Sequence, residues 1–196
     1  MSATTFDLDA FVADCRRLAA GPHGAARVLE RMREAIADPA GIAAAVAPLA
    51  AGVGALDAPL FRSDDLTVLN VTLAPGLMTI PHDHAMWAVV GIYQGEEVNT
   101  FYRPAADGEG AGALAPSNHR SVPAGEAILL GEAVVHAIHN PLPTPTLGLH
   151  VYGGDLLGAA RHMWDPTLSS AHPYDIPQFY RWSRELALSR RAANPA

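Results

Sequence analysis

The spacing of apolar positions divides the chain into a helical beginning, a strand-rich middle and a helical end. Near the beginning, apolar residues recur every three or four positions, which is typical of amphipathic helices. Two such helices are predicted from Leu8, Phe11, Val12, Cys15, Leu18 and Ala19, and from Val28, Leu29, Met32, Ala35 and Ile36. Asp38 and Pro39 then suit a helix cap and the first helical position, so a third, alanine-rich helix is predicted to end near Pro48.

From about Leu60 the apolar period changes to two, which is typical of strands. The predicted strands are Leu66–Leu73, Met86–Tyr93, Val98–Tyr102, Ala127–Leu130, Val134–Ile138 and Leu147–Tyr152. Turns rich in proline and glycine separate them, and the glycine-rich stretch 104–118 is predicted to be an exposed hairpin loop. Because no helical pattern lies between the strands, an antiparallel sandwich or barrel is favoured.

A length of 196 residues suits one domain with one main core. We predict that residues 1–56 form a helical segment that packs on the barrel, and that residues 57–157 form the barrel itself. Residues 158–196 are predicted to form a loop rich in histidine and proline, followed by a helix from about Pro177 to Arg191.

The charged residues and the single cysteine exclude several classes of function. All 13 basic residues are arginine, and the absence of lysine excludes Schiff-base and pyridoxal chemistry and the P-loop lysine. A net charge of −7 without a long basic run predicts no nucleic-acid partner and no membrane surface. Cys15 is alone, so no internal disulfide can form, and neither a signal peptide nor a membrane segment is evident, so a cytoplasmic location is expected.

Three of the nine histidines have a spacing that suits a metal ion. His82 and His84 are two positions apart, so in a strand both side chains point to the same face. His136 stands in a later apolar strand where packing alone would favour a bulky apolar residue. A buried neutral imidazole needs partners for both nitrogens, and a metal satisfies one of them. On the residues alone, surface or hydrogen-bonding histidines remain the alternative.

The segments around these histidines resemble the two sequence motifs of cupins. Gly76, His82-Asp83-His84 and Gly95 are similar to the first motif. Pro123-Ala124-Gly125, with the later His136 and Asn140, is similar to the second. The resemblance implies a mainly β fold, the cupin jelly-roll barrel, with helices before and after it.

One ligand of the general cupin pattern is missing. That pattern places a glutamate between the second histidine and the closing glycine, where this chain has Ala88. Glu96 and Glu97 directly follow the glycine and are expected to lie in the turn. The resemblance therefore implies a metal site made of three histidines alone.

Cupins with this departure resemble thiol dioxygenases of the cysteine dioxygenase type. His150 and Tyr152 are similar to the His-x-Tyr pair of that family, and Arg62 is similar to the arginine that binds the substrate carboxylate. The resemblance covers about residues 58–157. It implies Fe(II) held by His82, His84 and His136, with His150 and Tyr152 as catalytic residues and Arg62 as the substrate-binding residue.

The implied reaction oxidises a small thiol carboxylate, such as cysteine or 3-mercaptopropionate, to its sulfinic acid with O2. Three neutral imidazoles leave Fe(II) its full charge, which favours an anionic thiolate, and the thiol itself supplies the electrons. The alternative is a metal-binding cupin with a non-oxidative activity or a small-ligand binding role. The expected partners are the thiol and O2, and the chain is expected to act as a monomer or homodimer.

Overall fold

The computed structural model describes residues 6–50, 59–105 and 112–193. Its helices are α1 (Leu8–Ala19), α2 (Gly24–Ile36), α3 (Pro39–Ala50) and α4 (Ile176–Ala193). Its strands are β1 (Pro59–Arg62), β2 (Thr67–Leu73), β3 (His82–Asp83), β4 (Ala88–Gln94), β5 (Glu96–Pro104), β6 (Leu114–Pro123), β7 (Ala127–Leu130), β8 (Val135–His139), β9 (Thr146–Tyr152), β10 (His162–Trp164) and β11 (Ala171–Pro173).

The strands form two sheets in which every pair of neighbours is antiparallel. One sheet has the order β1-β2-β9-β4-β7 and the other has the order β11-β10-β3-β8-β5-β6. Apolar side chains from both sheets meet in one buried cluster, which includes Leu69 and Val90 of the first sheet and Ile138 of the second. The predicted mainly β jelly roll, with helices at both ends, is confirmed.

The central strands β2, β9 and β4 of the five-stranded sheet are covered on both faces, and each face of β9 packs in a different cluster. Leu149 and Val151 pack in one cluster with the N-terminal helices, whereas Tyr152 packs in the cluster between the sheets. Since side chains alternate along a strand, His150 lies on the same inward face as Tyr152. A strand that is covered on both faces has a nearly continuous run of apolar residues, as β4 has.

Helices α1 to α3 cover the outer face of this sheet with their apolar sides. The side chains of Phe11, Cys15 and Met32 are fully buried there. The approach of α2 to the sheet is close, because a Cβ at Gly91 would lie 2.5 Å from the Met32 side chain. Of the predicted helical segment 1–56, residues 6–50 contain α1 to α3, while residues 1–5 and 51–58 lie outside the described residues.

Two segments differ from the sequence-based expectation. Residues 114–118 of the expected hairpin loop belong to β6, which pairs with β5 along its length. The expected loop after residue 158 contains β10 and β11, and β10 pairs with β3 beside the histidine motif. β10 and β11 have three residues each, so their sequences show no clear alternation. The C-terminal helix is confirmed as α4 and packs through Phe179 on Ile80 and Met163.

Among the residues that the structure describes, no helix combines the length and the apolar character that a membrane crossing requires.

Candidate metal centre

Strands β3 and β8 bring the three histidines of the two motifs together inside the barrel. His82 and His136 are directly paired across these antiparallel strands, and His84 follows immediately after β3. Each of the three is buried, and one nitrogen from each lies within 4.8 Å of the others. We call this group the three-histidine cluster.

Hydrogen bonds orient two members of the cluster. His136 donates its Nδ1–H to Oδ1 of Asn99 over 2.7 Å, and His82 donates its Nδ1–H to the Ile80 carbonyl oxygen over 3.2 Å. Their Nε2 atoms therefore keep free lone pairs, and the Nε2 atoms of His136 and His84 are 3.3 Å apart. Metal-binding histidines are held in this way, with the second ring nitrogen donating to a carbonyl or side-chain oxygen.

Burial keeps the imidazoles of the cluster neutral. Desolvation lowers the pKa of His82 to about 4, helped by the nearby positive charge of Arg161. Desolvation, and then the neighbouring histidines, hold the pKa of His84 and of His136 well below the usual range. Because neutral imidazole is the form that binds metals, the donor set fits a divalent transition metal.

A small cavity of ≈ 60 Å³ lies against the cluster, between the barrel and α4. A water molecule needs roughly 10–15 Å³ on this measure, so the cavity suits a ligand of only a few non-hydrogen atoms. Its walls are mostly apolar and are formed in part by Leu69, Val71, Ile138, Leu156, Leu157, Ile176 and Phe179.

The structure places both His150 and Tyr152 on the wall of this cavity. The Tyr152 ring packs edge-on against His84 with ring centroids 5.0 Å apart. Its hydroxyl lies 3.2 Å from Nδ1 of His150, which is a hydrogen-bonding distance. Burial raises the pKa of Tyr152, so its hydroxyl stays protonated at neutral pH. The sequence-predicted pair therefore lies beside the cluster.

Arg62 does not belong to this site. It lies on β1, outside the residues that line the cavity, and its side chain is 45% exposed. Its guanidinium donates to both carboxylate oxygens of Asp155, over 2.7 and 2.8 Å. The assignment of Arg62 to a substrate carboxylate is therefore corrected: the geometry makes it part of a surface ion pair.

Arg161 is the arginine that lines the cavity, and sequence reasoning missed it. It is 8% exposed, and its guanidinium carbon lies 3.6 Å from the centroid of the Tyr174 ring. Within residues 6–50, 59–105 and 112–193, no carboxylate forms an ion pair with it. A buried cation without a counter-ion is costly, so this position favours an anionic ligand.

Glu97 and Asn99 were also missed: Glu97 was expected in the turn after Gly95, and Asn99 lay in the predicted strand Val98–Tyr102 but was assigned no role. Both lie in β5 and are fully buried. The Asn99 amide Nδ2 donates to Oε1 of Glu97 over 2.9 Å, while its oxygen accepts from His136. A signal was present, since two polar residues at alternate positions of a strand face the same side.

Neither a protein-family model nor a curated protein sequence matches this chain. Among solved structures it is similar to an uncharacterised conserved protein with a double-stranded β-helix domain from Klebsiella pneumoniae. The identity is 18% over 54% of this chain and 75% of the other, with a TM-score of 0.41. The assignment of the jelly roll and of the three-histidine cluster therefore rests on the geometry of this chain and not on a sequence match.

Two similar solved structures are enzymes by their descriptions. One is the oxalate decarboxylase of Bacillus subtilis, with Mn(II) centres, at 21% identity over 53% of this chain and 25% of that chain, with a TM-score of 0.41. The other is the DMSP lyase DddQ of Ruegeria pomeroyi, at 22% identity over 50% of this chain and 43% of that chain, with a TM-score of 0.38. This chain thus spans a quarter of the decarboxylase and less than half of the lyase. The narrower likeness to thiol dioxygenases stays a prediction.

Proposed function

We propose that this protein is a mononuclear non-haem iron thiol dioxygenase that converts a small thiol carboxylate to its sulfinic acid. One observation carries the proposal: the three-histidine cluster and the buried Arg161 line the same small cavity. The cluster can hold a metal beside the reacting sulfur, and the arginine can hold a carboxylate at the other end of a short substrate.

His82, His84 and His136 would hold the metal, and their neutral imidazoles favour Fe(II) with an anionic thiolate. Bound Fe(II) would supply the redox chemistry between the thiol and O2. Both oxygen atoms end on the sulfur, and the sulfur supplies all the electrons that reduce the dioxygen, so no further reductant is needed.

Arg161 would bind the substrate carboxylate through a charge-assisted, two-pronged contact. The Tyr174 ring stacks on its guanidinium and limits the orientations that the side chain can adopt. Since the side chain is already largely removed from water, little further desolvation is needed when the anion arrives. The arginine therefore selects for an acid and fixes its distance from the cluster.

The cavity favours a thiol acid that has no amino group. No aspartate or glutamate is among the described residues that line it, so a substrate ammonium would meet no opposite charge there. The positive charge of Arg161 would repel an ammonium further. We therefore expect 3-mercaptopropionate to be a better substrate than cysteine, and cysteamine, which has no carboxylate, to be the poorest.

Tyr152 and the apolar walls complete the site. The hydroxyl of Tyr152 is positioned by His150 and stays protonated, so it can donate a hydrogen bond to a reacting group in the cavity. Leu69, Val71 and Ile138 give this space apolar walls, and a substrate that fills it would displace the water. Exclusion of water strengthens the contact between Arg161 and a carboxylate.

The test combines metal content with O2 consumption. Iron-reconstituted protein is mixed in turn with 3-mercaptopropionate, cysteine, mercaptosuccinate and cysteamine, while O2 uptake and the sulfinate product are measured. We expect one iron per chain, one O2 consumed per sulfinate formed, and the highest kcat/KM for 3-mercaptopropionate. Full iron occupancy without thiol-dependent O2 uptake would contradict the oxidation and leave the alternative of a metal-dependent binding role or a non-oxidative reaction.

A further inference from the structure

Glu97 is a fully buried carboxyl group, and its burial is not explained by a contact with the three-histidine cluster. It lies on β5 with no exposed surface, and Oε1 accepts a hydrogen bond from Asn99. Its other oxygen, Oε2, has no hydrogen-bond partner among the described residues. A buried polar atom without a partner costs about 1–3 kcal/mol, so its retention needs a reason.

The atom that faces Oε2 also lacks a partner. Nε2 of His150 is buried, has no hydrogen bond within the described part of the chain, and lies 3.6 Å from Oε2. A Cβ at Gly148 would come within 3.2 Å of this nitrogen, so the glycine leaves the space beside it without a side chain. A small rotation of either side chain brings the two atoms within hydrogen-bonding distance, and each is the partner that the other requires.

Two arrangements of protons would satisfy the pair. Glu97 could be ionised and accept a hydrogen bond from Nε2–H, or it could be neutral and donate one to Nε2. No arginine of the described ranges forms an ion pair with Glu97, and a buried carboxylate without a cation is costly. Burial raises the pKa of Glu97 to about 7 and lowers that of His150 to about 3, so a charged pair is not favoured.

For a neutral Glu97, Asn99 determines which oxygen carries the proton. Its Oδ1 accepts from Nδ1–H of His136, so its Nδ2 must donate to Oε1 of Glu97. Oε1 is therefore an acceptor, as the carbonyl oxygen of a carboxylic acid is, and the hydroxyl falls on Oε2, opposite His150. The side chain of Glu97 is thus connected to His136 through Asn99, and it faces His150, which contacts Tyr152.

We propose that Glu97 is a positioning residue that, as a neutral acid, donates its O–H to Nε2 of His150 and fixes the Nδ1–H tautomer of that ring. Nδ1–H then donates to the Tyr152 oxygen, and the hydrogen of the tyrosine hydroxyl remains available for a group in the cavity. With an ionised Glu97 the order reverses: Nε2–H points to the carboxylate, Nδ1 takes the tyrosine hydrogen, and none is left for the cavity. The use of that hydrogen in turnover rests on the proposed function, whereas the tautomer does not.

The tautomer is measured directly by NMR of histidine ring nitrogens in uniformly ¹⁵N-labelled, zinc-loaded protein, with the His150 signals assigned from a His150→Gln variant. We expect the Nδ1–H form in the wild type. Glu97→Gln should keep it, because the amide can accept from Asn99 and donate to Nε2. Glu97→Leu removes the donor and should give a mixture of both forms, while Glu132→Gln, at an exposed carboxyl group, should leave the spectrum unchanged.

An Nε2–H form in the wild type that changes to Nδ1–H in Glu97→Gln would overturn the proposal, because it identifies an ionised Glu97. If Glu97→Leu does not fold, the wild type and Glu97→Gln still decide the question. In iron-loaded protein we expect Glu97→Gln to keep kcat within about twofold, and Glu97→Leu to lose about 10- to 100-fold in kcat with little change in KM. A protein that does not oxidise thiols at all would refute the proposed function and leave the tautomer result standing.

Discussion

Arg161 and Arg62 differ in what surrounds their guanidinium groups, and the difference gives a matched pair of variants. We expect Arg161→Gln to raise the KM for 3-mercaptopropionate about 10- to 100-fold, because a charge-assisted contact of about 1.5–3 kcal/mol is lost. Arg62→Gln breaks only the exposed pair with Asp155 and should leave KM unchanged. Steady-state O2 uptake measures both. An equal rise in the two variants would remove Arg161 from the substrate site.

Asn99 is expected to matter for the metal although it does not belong to the cluster. It accepts the Nδ1–H of His136, so Asn99→Ala frees that ring to rotate and leaves its N–H buried without a partner. We expect metal affinity to fall about 10- to 100-fold. Competition with a chelator measures the affinity, with Asn118→Ala, at an exposed position, as the control. Unchanged affinity in Asn99→Ala would mean that packing alone orients His136.

The histidines of the cluster were predictable, and Arg161 was not. His82 and His84 were singled out by their alternate spacing and His136 as a polar residue in an apolar run, whereas His150 and Tyr152 were assigned from resemblance. Arg161 lies between β9 and β10, where no period indicates the direction of a side chain. Arg62 was assigned from resemblance alone, and nothing in its local pattern indicated that Asp155 would neutralise it.

At the scale of elements, helix α4 closes the cavity and supports one histidine of the cluster. The Phe179 ring packs edge-on against His82 with centroids 5.1 Å apart, and the Ser183 hydroxyl accepts a hydrogen bond from the Ile80 N–H. Phe179→Ala should lower the free energy of unfolding by about 3–5 kcal/mol. Leu188→Ala, at a 55% exposed position of the same helix, should change it by less than about 0.5 kcal/mol. Urea denaturation measures both. A small effect of Phe179→Ala would show that α4 does not support the barrel.

Element length separates β2, β4 and β9, which were predicted, from β3, β10 and β11, which were not, whereas the ten-residue β6 was partly missed because a loop was expected up to residue 118. β2, β4 and β9 have seven residues each and were placed within a few positions of their bounds. β3, β10 and β11 have two or three residues, too few for a period. β3 pairs with the longer β8, and β10 and β11 extend the sheet from β3. The strand that carries His82 is therefore formed by its pairing with β8 and β10, rather than by its own sequence.

At the scale of the whole molecule, buried histidines make the metal-free protein sensitive to acid. An unfolded histidine has a pKa of 6.5, whereas burial lowers that of His82 to about 4 and that of His150 to about 3. Between these values the unfolded chain binds more protons, so the free energy of unfolding falls as the pH decreases from 7 to 5. Each of these groups contributes about 1–2 kcal/mol to that loss. The raised pKa of Glu97 acts in the opposite sense, but it is one group against several.

Urea denaturation of the metal-free protein at pH 7, 6 and 5 measures this dependence. We expect His150→Gln to reduce the loss between pH 7 and pH 5, because one buried titrating group is removed. His119→Gln, at an exposed position, should keep the slope of the wild type. The same slope in all three proteins would show that His150 is protonated without cost in the folded state.

The fold also protects the only thiol of the chain. Cys15 is fully buried on the apolar side of α1, and desolvation raises its pKa to about 12. A protein proposed to work among thiols and O2 thus has its one thiol shielded from mixed disulfides with a substrate and from oxidation during turnover. The native protein should leave Ellman's reagent uncoloured, and colour should develop only as fast as the helical layer separates from the sheet. The rate at which Cys15 reacts therefore measures how fast the N-terminal helices open.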